Sequence, residues 1–298
     1  MEKKLIESKF NDIRPYSNEE IPMAMQRIAH SEAFPFLASF VYPDTPLENV
    51  RERICSFKNV YDFQNDTMRR AVEQILKRTI TNFSFAGVEN LNKEQSYLFI
   101  SNHRDIVLDS CLLQYALANS GLKTTEITFG ANLMMNPLIV DIGKANKMFR
   151  VERPGGDMKE FYASSLHLSE YIRYAITQKR ESVWIAQRNG RTKSGIDATD
   201  QGIIKMLCMS SPSDKIGAIL ELNIVPVSVS YEWEPCDLLK AIELYESRSK
   251  KYVKKPGEDL NSILTGITKK KGRVHFEICK PLCKEEITEY ENCTKNEY

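Results

Sequence analysis

Tyr97-Leu98-Phe99-Ile100-Ser101-Asn102-His103-Arg104-Asp105-Ile106-Val107-Leu108-Asp109 is the stretch on which the reading of this chain turns. Four strand-forming residues, Tyr97 to Ile100, run into a polar turn that carries one histidine and two carboxylates. An apolar, helix-compatible stretch, Leu108 to Ala118, follows at once. Open α/β sheets place their chemistry at such a strand end, just before a helix. A histidine with a nearby carboxylate is the smallest general-base pair.

Outward from this stretch the pattern alternates. Apolar, β-branched runs predict strands at 96–101, 126–130, 149–152, 182–186, 224–231 and 274–278. Longer amphipathic stretches predict helices at 108–119, 137–146, 157–178, 199–210 and 237 to about 251. The expectation is an α/β fold, a mixed sheet flanked by helices. Residues 1–82 read differently, as an N-terminal helical subdomain with Pro-containing joints. A helix start is expected at Ser17 to Pro22, a turn and charged helix after Asp44-Thr45-Pro46, and a long amphipathic helix over 65–80. Phe34 to Tyr42 is its most apolar part, suited either to packing on the second domain, 83–298, or to a membrane interface.

Bulk composition narrows the classes. A chain of 298 residues with 42% hydrophobic and 27% charged residues can bury a substantial core. Lys+Arg 41 against Asp+Glu 40 leaves no global excess that would argue for nucleic acid. Basic residues do collect late, at Lys250, Lys251, Lys254, Lys255, Lys269, Lys270, Lys271 and Arg273. They suit a solvated face or an anionic lipid surface. The seven cysteines are scattered without a CxxC pair, which points to reduced thiols in the cytoplasm rather than a zinc or redox motif. His30, His167 and His275 are far apart in sequence, and no metal is expected. The N-terminal residues lack a signal-peptide core, and no apolar run reaches the ~20 residues needed to span a bilayer.

His103-Arg104-Asp105 matches the start of a protein-kinase catalytic loop, but Ser110 stands where that loop needs Asn. A later Asp-Phe-Gly and an upstream Gly-rich phosphate loop are both missing. Four segments taken together instead resemble the glycerolipid acyltransferase family, the lysophosphatidate and glycerol-3-phosphate acyltransferases. Asn102-His103 matches the first motif, in which four residues separate the His from an Asp. Here Leu108 occupies that place, so the carboxylate is either Asp109, one residue late, or Asp105. Arg150-Val151-Glu152-Arg153 corresponds to the second motif, with Arg153 as its arginine. Ala186 to Gly195 corresponds to the third: Gly190, Arg191 and Thr192-Lys193-Ser194-Gly195 fit, while Asn189 stands where the family has Glu. Pro226, within Val225 to Tyr231, corresponds to the fourth. The resemblance covers roughly residues 83–283.

The resemblance implies O-acyl transfer from a thioester to a hydroxyl. His103 would be the base, oriented by Asp109 or Asp105. Arg153, Asn189, Gly190, Arg191 and Lys193 would bind the acceptor's phosphate or another acidic head group, guanidinium forks being suited to phosphate oxygens. No bound cofactor is implied; the donor would be acyl-CoA or acyl-ACP, carried by coenzyme A or acyl carrier protein. The acceptor would be lysophosphatidate, glycerol phosphate or a similar lysolipid. Attachment to the inner face of the membrane would be peripheral, through Phe34 to Tyr42 and the late lysines. The altered third motif leaves room for another hydroxylated acceptor, such as an amino-acid lipid. With the displaced Asp, it also leaves room for a non-catalytic lipid-binding relative.

Overall fold

The computed structural model describes residues 6, 8–134, 136–152, 157–211 and 213–289. Three short helices come first: α1 (Ile21–Ala29), α2 (Phe34–Val41) and α3 (Leu47–Ser56). A single turn, Val60–Asp62, a π-turn over Phe63–Met68 and α4 (Arg69–Thr79) form one nearly continuous helical run. The sheet region follows as β1 (Ile80–Ala86), β2 (Leu98–Ser101), α5 (Leu108–Asn119), β3 (Glu126–Gly130), α6 (Pro137–Ala145) and β4 (Met148–Val151). Then come α7 (Met158–Tyr174), β5 (Val183–Ala186), α8 (Gln201–Cys208), α9 (Lys215–Leu220) and β6 (Ile224–Tyr231). The series closes with α10 (Asp237–Glu246), α11 (Glu258–Thr268), β7 (Gly272–Ile278) and α12 (Lys284–Thr288).

Local chemistry sets many of these boundaries. Asn136 accepts from the Leu138 N–H with Pro137 in the first turn of α6. Asp157 and Asp200 cap α7 and α8 in the same way. The seven strands form one mixed sheet, ordered β1-β7-β6-β2-β5-β3-β4. All neighbours are parallel except β6 and β7. Side chains alternate between two apolar layers, as a sheet covered on both faces requires. Phe99, Trp184, Val225, Val227 and Val229 face α4 and α5. Leu98, Val183, Ile185 and Ile224 lie in the layer with Tyr171, Ile172 and Leu207, from α7 and α8. A third cluster joins the first three helices to Ala145 and the partly buried Leu138 and Ile142 of α6.

Several elements depart from the expectation, the short helices α9 and α12 among them. β1 is a strand the alternation did not reveal, because its register shifts between Ile80 and Asn82 and breaks the two-residue period. The expected boundary at residue 82 falls inside it. α11 was missed as well, and α10 ends at Glu246 rather than near 251, because Ser247-Arg248-Ser249-Lys250-Lys251 offers nothing apolar to bury.

The topology fixes where chemistry can sit. β2 lies between β5 and β6, and the chain crosses from one side of β2 to the other between these two strands. The carboxyl end of β2 is therefore a switch point of the sheet, and His103 is two residues beyond it.

Candidate active site

His103 begins the loop between β2 and α5, and hydrogen bonds hold that loop from both neighbouring strands. Asn102 Oδ1 accepts from Val229 N at 2.8 Å, and its Nδ2 donates to Val229 O at 3.0 Å, so its amide is pinned to β6. On the β5 side, Thr192 N donates to His103 O at 2.8 Å. The Trp184 indole N–H donates to Ser101 Oγ at 3.0 Å, and its ring meets the His103 ring edge-on at 6.2 Å between centroids. Asp197 ties the loops together by accepting from both Asn102 Nδ2 and Arg104 Nη2, at 3.1 and 2.6 Å.

Of the two aspartates left open by the sequence, the structure brings Asp109 to the histidine. Its Oδ2 lies 3.1 Å from His103 Nδ1. The same oxygen accepts from the backbone N–H groups of Arg104 and Asp105, at 2.7 and 2.9 Å. Oδ1 accepts from Tyr231 OH at 2.8 Å. Asp109 is fully buried, so its charge depends on these four donors in place of water. Because an ionised carboxylate can only accept, Nδ1 carries the proton and Nε2 keeps its lone pair for other work. Burial and the adjacent Asp109 push the Tyr231 hydroxyl well above the usual tyrosine range, which keeps it a donor.

Asp105 does something else. Its Oδ1 accepts from the N–H groups of Val107 and Leu108, at 3.0 and 2.9 Å, closing an Asx turn that leads into α5. This turn takes up the extra residue between His103 and Asp109. Asp105 Oδ2 is buried without a hydrogen-bond partner among the described residues. Desolvation, then the neighbouring Asp109, raises the Asp105 carboxyl above the ordinary aspartate range. Lys271 lies fully buried nearby, donating to Thr79 Oγ1 at 2.9 Å and Lys269 O at 2.6 Å. Burial pushes its ammonium down to about 8, partly opposed by the charge of Asp105.

The loop after β5 supplies the cations. Arg191 is buried, and its Nη1 has no hydrogen-bond partner among the described residues. The same holds for Arg188 Nε, Gln187 Nε2 and Arg104 Nε. Buried donors left without protein acceptors are unusual, and a cluster of them beside a histidine suits an anionic ligand. Lys193 is spoken for by an ion pair with Glu243, and burial lowers its pKa. Gly190 has φ +76°, a left-handed backbone that favours glycine, while a Cβ there would meet open space. Asn189 is exposed on the same turn. Pro226 sits within β6, opposite Ile100. Arg153 lies outside the described residues.

Sequence reasoning missed Tyr231, Asn102's clamp on Val229, Asp197 and Lys240. Lys240 is buried and donates to Arg104 O at 2.7 Å. Tyr231 had a readable signal: it ends the strand that carries Pro226. The other three depend on long-range contacts that no local spacing encodes. A cavity of about 1060 Å³ lies at the amino ends of β3, β4 and β5, away from His103, and none of the candidate residues lines it. Among the described residues, no three His, Cys, Asp or Glu side chains are grouped to hold a metal ion.

Comparison with known proteins bears on this site. Two solved structures align over most of the chain. The 1-acyl-sn-glycerophosphate (LPA) acyltransferase PlsC from Thermotoga maritima is 12% identical, covering 92% of this chain and 91% of its own, with a TM-score of 0.38. The cell division protein FtsY from Thermotoga maritima is 11% identical, covering 89% and 82%, with a TM-score of 0.27. Both superpositions are too loose to carry an argument. No curated protein matches the chain. The acyltransferase family model matches residues 82–230, half of the sequence, from within β1 to near the end of β6, a span that holds His103, Asp109 and the loop of Arg191 but not Tyr231, Lys240 or Lys271; on that match the chain belongs to the acyltransferase family.

Proposed function

We propose that this chain is an O-acyltransferase of membrane-lipid synthesis. It moves a fatty acyl group from acyl carrier protein or coenzyme A to the hydroxyl of a lysophosphatidate or glycerol-phosphate-type acceptor. One observation carries the reading: a histidine fixed through Nδ1 by a buried, four-donor aspartate is hydrogen-bonded through its backbone to Thr192, next to Arg191, whose Nη1 has no partner among the described residues. His103 Nε2 takes the acceptor's hydroxyl proton as that oxygen attacks the thioester carbonyl. The tetrahedral intermediate collapses, the C–S bond breaks, and the thiolate takes the proton back from the imidazolium. Asp109 holds the ring in place and stabilises its positive charge between the two steps. Arg191, with Arg188 and Arg104, pairs with the acceptor's phosphate. Arg153 is proposed for the same role from the sequence alone. Gly190 and Asn189 shape the turn that presents Arg191, and Lys193 holds that turn to Glu243.

A second acceptor is favoured by Asn189. A neutral amide in place of the family's Glu can hydrogen-bond a hydroxyl but brings no charge, which suits another hydroxylated lipid such as an amino-acid lipid. Attachment is proposed as peripheral, on the inner face of the membrane. Among the described residues no helix is long and apolar enough to cross a bilayer. Phe34, Ala38 and Tyr42 are buried in the helical region's core, leaving Phe36 as the exposed aromatic of that stretch.

The deciding experiment measures acyl transfer by purified protein with both donors and a panel of acceptors. His103→Ala should lower the rate about 10²–10⁴-fold. Equal activity in that variant rejects the reading. Activity in neither protein, with lysolipid binding retained, favours a non-catalytic lipid-binding relative.

A further inference from the structure

The connection between β6 and β7, residues 232–271, lies beyond the span of the family match and carries two helices that expose large apolar side chains. In α10 the buried side chain is Lys240, which donates to the backbone of the His103 loop, and the half-buried Glu243 pairs with Lys193. The opposite stripe, Leu238, Ile242 and Tyr245, runs at helical spacing i, i+4, i+7 and is 68%, 45% and 72% exposed. In α11 the buried positions are Ser262 and Gly266, while Leu260 and Leu264 face outward. Gly266 packs so closely that a Cβ there would stand 2.3 Å from Asp105 Oδ2. Cys236 Sγ reaches Ser262 O at 3.5 Å and ties the two helices together. Both helices thus turn polar or small residues, Lys240, Glu243 and Gly266, toward the active-site loops and expose large apolar ones to solvent, although α11 also packs Ile267 against the core. Trp233 and Val253 extend the exposed apolar set.

Charge indicates what covers this face. Residues 247–257, which join α10 to α11, contain five basic and no acidic residues: Arg248, Lys250, Lys251, Lys254 and Lys255. Lys254 pairs with Asp259, while Lys250, Lys251 and Lys255 are exposed, as are Lys269 and Lys270 beyond the far end of α11. Exposed Leu, Ile, Trp and Tyr beside a run of Lys and Arg is the composition of a helix lying in a bilayer interface. Its apolar stripe enters the acyl boundary and its cations meet anionic head groups. We infer that α10, α11 and their basic connection form a docking surface for an anionic membrane, seated directly against the loop that holds His103. The inference rests on the acyltransferase reading and adds where the lipid acceptor is met. An acyl chain and its head group would then be presented beside Arg191 and His103 without the acceptor leaving the interface.

The test uses the full chain and vesicles of phosphatidylcholine with or without phosphatidylglycerol, read by co-sedimentation. Wild type should bind the anionic vesicles, more weakly at high salt. Two separate sets of exposed residues are changed: Leu238→Ser with Ile242→Ser and Tyr245→Ser, and Lys250→Glu with Lys251→Glu and Lys255→Glu. Each set should weaken binding about tenfold or more. Both should keep the wild-type melting transition and full activity on a water-soluble, short-chain acceptor. Unchanged vesicle binding in both sets overturns the surface. So does a wild type that ignores anionic vesicles while acylating the soluble acceptor, an outcome that leaves the acyltransferase reading standing. A face that instead binds acyl carrier protein, or that pairs two copies in sedimentation velocity, overturns it equally. Vesicle binding through this face with no transfer to any acceptor rejects the enzyme and keeps the surface.

Discussion

At the residue scale the site depends on one carboxylate being fully satisfied. Asp109 accepts from two backbone N–H groups, a tyrosine and the histidine, and, being fully buried, it relies on these donors. Asp109→Asn puts an amide N–H against donors and loses the charge that favours the imidazolium; kcat should fall about 10²–10⁴-fold with little change in KM. Tyr231→Phe strips Oδ1 of its donor and should cost about 1–3 kcal/mol of stability, seen by denaturant titration, with a smaller loss of rate. Asp105→Asn keeps the Asx-turn acceptor and should retain most activity. The sequence could not choose between these aspartates, because both lie within reach of the loop. What separates them is the turn built by Asp105 itself, which rotates Asp109 under the ring. Lys271 makes a pH prediction. Its folded pKa, about 8, lies below the ordinary lysine value, so the unfolded chain binds more protons between them. The stability linked to Lys271 is therefore complete above the unfolded pKa and is lost as pH falls through about 8. The shift corresponds to about 3 kcal/mol at most. Lys271→Met, which also loses two hydrogen bonds, should leave stability at pH 7 equal or raised by about 1 kcal/mol. It should also flatten the rise between pH 8 and 10, which unfolding titrations across that range would register.

At the element scale, legibility followed burial. Helices α5 to α7 and strands β2 to β6 lie near their expected places, each an apolar-rich run bounded by polar or turn residues. β1 escaped because a register shift interrupts its alternation, and α11 escaped because its leucines face outward. The motif loops were legible as residue types, but their joining was not. Asn102 to Val229, Thr192 to His103 and Lys240 to Arg104 are each contacts between segments far apart in the chain. The contact between α11 and the His103 loop gives a test at this scale. Because Asp105 Oδ1 is committed to two backbone donors, the carboxylate cannot swing away freely when Gly266 gains a methyl group. Gly266→Ala should destabilise by about 1–3 kcal/mol despite alanine's better helix propensity, through overpacking. It should also reduce activity by shifting the loop. In a double-mutant cycle with Asp105→Ala the two changes should be strongly non-additive, since the second removes the atom the first collides with. Additive losses would show that α11 and the loop are not coupled in this way.

At the scale of the whole molecule, the N-terminal helices act as the third wall of the enzyme. Phe10 and Ile13 pack with Tyr171 and Tyr174 on one face of the sheet, while Val72 and Ile75 pack under α5 on the other. Between these, the helices α1 to α3 close over Ala145, and Asp141 accepts from both Tyr16 OH and Arg27. Burial and Asp141 push the Tyr16 hydroxyl up to about 12, so it stays a donor across the physiological range. A family match that begins at residue 82 could suggest that the sheet folds without what precedes it. The distribution of its core argues otherwise, because removing residues 1–79 uncovers buried apolar surface on both faces of the sheet and along α6. Each large side chain so exposed forfeits about 1.5–3 kcal/mol, and the stability of a whole domain is about 5–15 kcal/mol. The fragment 80–298 should therefore be insoluble or lack a cooperative melting transition, while the full chain unfolds in one step by circular dichroism and calorimetry alike. A fragment that melts cooperatively near the full-length midpoint would instead make the N-terminal helices a separable domain, with the three shared clusters contributing little to either part.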